Sequence, residues 1–133
     1  DLTDTTALPE HFHQALANLP KQVMAYSIRG PLFFGAAEKA LSVLRRLNPD
    51  VRVVMVEISA VPMLDMTALA ALENLLRDYQ QQGIGLILVG TSAPLRLKLR
   101  RAGVHLHNGR LSYVNSLPQA RSKALEWLQA HQD

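Results

Sequence analysis

Val51-Arg52-Val53-Val54-Met55-Val56-Glu57-Ile58-Ser59-Ala60-Val61-Pro62-Met63-Leu64-Asp65-Met66-Thr67-Ala68-Leu69 decides how this 133-residue chain folds. Val51 to Ile58 is nearly continuous in apolar and β-branched residues, which is the composition of a strand covered on both faces. Ser59 to Leu64, broken by Pro62, has the character of a loop. Asp65 then stands where a helix N-cap belongs, because its carboxylate can accept a free first-turn N–H. Leu69, Leu72, Leu76 and Tyr79 follow at the three- and four-residue steps of a buried helical stripe. Gln80-Gln81-Gln82-Gly83 closes that helix, glycine taking the left-handed cap conformation without strain.

The same alternation continues in both directions. Upstream, Val23 to Ile28 is a strand between the breakers Pro20 and Gly30-Pro31, and Ala37, Ala40, Leu41, Leu44 and Leu47 give one face of a helix ending before Asn48-Pro49. Downstream, Ile84 to Val89 is a second buried strand, with Gly85 inside it as a packing residue. A short basic helix over Pro94 to Ala102 follows, stopped by Gly103. Asn108-Gly109 either turns a hairpin or lies in a loop before a short strand at Leu111 to Val114, and the loop is the preferred reading. Ser116 caps a last helix whose Leu117, Ala120, Ala124, Trp127 and Leu128 share a face. Strands alternating with helices imply an α/β fold, a central mixed, mostly parallel β-sheet flanked by helices. One domain is expected over 1–133, with a lead-in at 1–20 carrying a short amphipathic helix over Pro9 to Leu19 and the core at 21–133.

Composition narrows the class. Apolar residues at 48% and charged residues at 19% give a globular balance. The absence of cysteine removes disulfides, thiolate ligands and a cysteine nucleophile together. No stretch approaches the roughly 20 apolar residues of a membrane-spanning helix. The opening Asp1-Leu2-Thr3-Asp4 has neither an initiator methionine nor a signal pattern, so a longer parent protein is expected. The net charge is +3, yet Arg96, Lys98, Arg100, Arg101 and Arg110 fall between Pro94 and Arg110 without an acid, so the rest of the chain is net acidic.

Two segments carry a family likeness. Ala25-Tyr26-Ser27-Ile28-Arg29-Gly30-Pro31-Leu32-Phe33-Phe34-Gly35-Ala36-Ala37 resembles the strand-to-helix junction of STAS domains in sulfate-permease-type transporters. Val53 to Leu69 is similar to the shared STAS signature, in which a buried strand leads through a loop to Asp-x-Ser/Thr at a helix start. Glu57 stands where the family commonly has Asp. Ala68 stands where the bacterial sigma-factor regulators usually have Gly, which favours the transporter branch. The resemblance implies a non-catalytic domain at the cytoplasmic face of the bacterial inner membrane, following the transporter's last membrane span and modulating transport through partners. It also implies that Thr67, aligned with the hydroxyl phosphorylated in the regulators, and Asp65 form a regulatory site. A free-standing anti-sigma-factor antagonist is the alternative, and nucleotide binding enters only by analogy with the family.

The residues give these expectations some independent content. A phosphate on Thr67 in the first helical turn would face free backbone N–H groups and the positive helix end, while the bland reading is a capped helix with an ordinary first-turn threonine. Arg96, Lys98, Arg100 and Arg101 lie on a short helix with Leu95 and Leu99 turned inward. Such a surface suits an acidic protein partner or an anionic lipid surface, against the alternative of a solvated face. It lacks the interleaved aromatics that nucleic acid favours. His11-Phe12-His13 and His105-Leu106-His107 have no carboxylate or thiolate to complete a metal set and are taken as surface histidines. Leu32-Phe33-Phe34 is more naturally core than docking patch. Neither a phosphate-binding glycine loop nor a Gly-x-Ser-x-Gly elbow occurs, so no enzyme, metal or cofactor is expected.

Overall fold

The computed structural model describes residues 4–7, 18–32 and 35–132. Along the chain run β1 (Asp4–Ala7), β2 (Val23–Arg29), α1 (Ala36–Arg45), β3 (Val53–Ala60), α2 (Met66–Gln82), β4 (Gly85–Val89), α3 (Ala93–Arg101), β5 (Leu111–Val114) and α4 (Leu117–Gln132). The strands form one sheet in the order β1-β2-β3-β4-β5. β1 pairs antiparallel with β2, and every later pair is parallel, which is the mixed, mostly parallel sheet expected. The helix expected over 9–19 falls almost wholly outside the described residues, as do Phe33, Phe34, His11 and His13.

Sequential strand order fixes which face each helix covers. A crossover between neighbouring parallel strands is right-handed, and three crossovers made in the same direction put their helices on the same side. α1, α2 and α3 accordingly bury Leu41, Leu44, Leu69, Leu75, Leu95 and Leu99 against Val54, Val56, Ile58, Leu86 and Leu88. The opposite face is left to α4, whose Leu117, Ala120, Ala124 and Trp127 cover Val53, Met55, Ile87 and Val89. β3 and β4 are thus buried on both faces, which is why they lack polar alternation. Across the three-helix layer the Tyr79 hydroxyl donates to Leu44 O at 2.5 Å, and burial pushes that phenol well above its usual range.

Where element boundaries differ from expectation, backbone hydrogen bonds explain the shift. Arg52 N and Val53 N both donate to Gln22 O, at 2.7 and 3.1 Å, so β3 joins its neighbour at Val53 and not at Val51. Pairing with β2 then carries β3 through Ser59 and Ala60, which sequence assigned to the loop. Ile84 precedes β4 because it belongs to the helix stop. Gly83 N donates to Gln80 O and Ile84 N to Tyr79 O, a Schellman motif with Gly83 at φ 73°. Asn108-Gly109 turns a minimal hairpin, correcting the loop reading: His107 and Leu111 bridge antiparallel across it.

Candidate functional site

The tip of α2 is built by an extension of the sheet. Beyond β2 and β3, Leu32 and Leu64 form a parallel bridge. Leu32 N donates to Met63 O at 2.9 Å and Asp65 N to Leu32 O at 3.1 Å, which pins the chain as it turns into the helix. Asp65, in extended conformation, accepts from Ala68 N at 2.9 Å and so caps α2. It is half-buried, Thr67 is exposed in the first turn, and Met63 and Met66 flank them at 61% and 75% exposure. Exchanging Asp65 for Ala is expected to cost about 1 kcal/mol, the usual loss when an N-cap acceptor is removed. Urea unfolding of both proteins measures it.

The structure divides the four basic residues of α3. Leu95 and Leu99 point inward as expected, at 6% and 0% exposure. Lys98, on one flank of this buried ridge, reaches across to donate from Nζ to Leu64 O at 2.5 Å, and so joins the Asp65–Thr67 tip. On the other flank Arg96 is anchored: its Nε donates to Thr91 O at 3.0 Å and its Nη2 to Asn115 Oδ1 at 3.2 Å. The guanidinium carbon also lies 5.2 Å from the centre of the Tyr113 ring. Arg100 shares the Arg96 flank, one helical turn on, whereas Arg101 lies towards the Lys98 side; both are exposed. The set is two surfaces on either side of one helix. His105 and His107 are exposed.

A polar cluster that sequence did not single out as a site lies at the carboxyl end of β3, on the α4 face. Glu57 is buried and accepts from Ser27 Oγ at 3.0 Å and from Ser59 N at 2.9 Å, as well as from Ser59 Oγ. Its signal was a lone carboxylate inside an apolar strand, which has to be met by hydrogen-bond donors.

The sequence matches the model of the STAS domain over residues 14–116. The chain belongs to the STAS domain family. This STAS domain is similar to the STAS domain of a SulP transporter from Vibrio cholerae, at 25% identity and a TM-score of 0.71, the match covering 92% of this chain and 99% of that one. A sulfate transporter family protein from Wolinella succinogenes is similar at 28% identity and a TM-score of 0.71, covering 84% and 91% of the two chains. The murine anion transporter Slc26a9 shares the fold alone, at 18% identity and a TM-score of 0.63, over 82% of this chain and 18% of that one. Comparison with curated proteins finds no match. Among the described residues of this STAS domain, no helix is long and apolar enough to cross a membrane.

Proposed function

We propose that this STAS domain is the cytoplasmic regulatory and interaction module of a sulfate-permease-type anion transporter in a bacterial inner membrane. It catalyses nothing itself and modulates transport by contact, first with the transmembrane domain of its own chain. The observation that carries this reading is an exposed hydroxyl, Thr67, in the first turn of a helix capped by Asp65, in a domain similar along nearly its whole length to a SulP transporter's STAS domain. Asp65 and Thr67 form the regulatory site. A phosphate on Thr67 adds roughly −1.5 to −2 charge. That charge arises beside the place where Lys98 holds the Leu64 carbonyl, so it acts on both the helix tip and α3. Arg96 with Arg100 on one flank of α3, and Lys98 with Arg101 on the other, form the contact surfaces for an acidic protein partner.

Thr67→Glu in the full transporter is expected to change transport rate or partner affinity by about fivefold or more, the lower end of ordinary coupling energies. Its stability should stay within about 0.5 kcal/mol of the parent, because the residue is exposed. Thr67→Ala is expected to fold normally and to lose any response to phosphorylating conditions. Transport and partner binding unchanged in both variants would overturn the regulatory role.

A further inference from the structure

Between α3 and the outer edge of β5 lies a groove of about 570 Å³, within the roughly 300–1,000 Å³ of small-molecule sites. Its walls are apolar, formed by Leu97, Val104, Leu106 and Tyr113. Its cationic members are Arg96 and Arg100, with His105 alongside and no carboxylate among the lining residues. Leu97 and Leu106 are 37% and 59% exposed, which leaves hydrocarbon facing water beside two guanidinium groups. Arg96 is pre-positioned by Thr91 O, Asn115 Oδ1 and the Tyr113 ring. Two of its five N–H donors are engaged in those bonds, and the others remain for an incoming acceptor. Burial raises the Tyr113 phenol above its usual value, against the lowering effect of Arg96, so at neutral pH it keeps its proton and can donate.

A cationic end joined to an apolar trough is complementary to a molecule with one acidic headgroup and a hydrocarbon body. We propose that this groove binds an amphiphilic organic anion. The carboxylate or phosphate headgroup is held by Arg96 and Arg100, and the hydrocarbon lies along Leu97, Val104 and Leu106. A free acid and the headgroup end of an anionic lipid share this chemistry. The site lies across α3 from Lys98, shares Arg96 and Arg100 with the surface proposed for an acidic partner, and does not depend on the reading of Thr67.

The test is an amide chemical-shift titration of the isotope-labelled 133-residue chain with four probes: decanoate below its micelle-forming concentration, decanol, inorganic phosphate, and phosphatidylglycerol vesicles. Decanoate is expected to shift residues 93–106 and 113 saturably, with an affinity about tenfold or more above that of decanol or phosphate. Arg100→Gln, at an exposed position, should weaken decanoate about fivefold or more and leave decanol unchanged, whereas Leu106→Asp should weaken both. Vesicle binding that decanoate displaces assigns the source to a lipid, and decanoate binding without vesicle binding assigns it to a free acid. Shifts centred elsewhere, equal affinity for decanol or phosphate, absence of saturation, or binding to vesicles without decanoate binding each overturn the proposal.

Discussion

Trp127→Ala is expected to destabilise this STAS domain by about 3–5 kcal/mol, the range for removing a large aromatic side chain from a packed core. Trp127 is 3% exposed and is the largest side chain that α4 lays on the sheet. Its ring sits over Gly85 so closely that a Cβ there would lie 2.6 Å from Cε3 and 2.7 Å from Cζ3. The indole Nε1 also donates to Asn108 Oδ1 at 3.1 Å, so the same side chain holds the hairpin that leads into β5. The variant therefore loses packing against β4 and the anchor of a turn together. Denaturant unfolding measures the loss against a total stability on the order of 5–15 kcal/mol for a domain. Gly85→Ala should by itself cost about 1–3 kcal/mol through overpacking. It should cost less in the Trp127→Ala background, where the clash with the ring is gone and only the one with Gly109 O, 2.8 Å from the added Cβ, remains. Additive losses would show that the two residues do not share one contact.

The second large effect is expected at Glu57. Replacing it with Ala removes the acceptor for Ser27 Oγ, Ser59 N and Ser59 Oγ. Ser27 is fully buried and has no water to turn to. Unmet donors and the space left by the side chain together should cost about 2–4 kcal/mol. Ser27→Ala should cost less, because Glu57 keeps its bonds to Ser59. Urea unfolding with an unchanged denaturant slope separates this from a change in the unfolded chain. A loss below about 1 kcal/mol would mean that the cluster contributes little to folding.

The central layers were legible because burial on both faces leaves a mark in the sequence. Val53 to Ile58 and Gly85 to Val89 carry no polar alternation, and a strand of that kind requires helices above and below. The α2 tip was legible by residue type, since Asp at an N-cap and Gly at a left-handed stop have local causes. β1 was not legible: Asp4–Ala7 has no apolar periodicity, and it is a strand because its backbone pairs with β2. Lys98 shows the same limit at the candidate site. Its place on α3 follows from spacing, but its bond to Leu64 joins positions 34 residues apart and depends on how α3 packs against the loop. Glu57 likewise meets Ser27 across 30 residues. Neighbours of that kind are chosen by the assembled sheet, and no local pattern announces them.

The unbroken strand order has a consequence for how such a domain is approached. In doubly wound sheets the order reverses, adjacent crossover helices depart to opposite sides, and the gap between them cradles a cofactor. From β2 to β5 no reversal occurs, so α1, α2 and α3 stand shoulder to shoulder and that kind of gap does not open. Asp65 and Thr67 stand beyond the carboxyl end of β3, at the tip of α2. A visitor arriving at these two side chains meets a projecting edge to rest against.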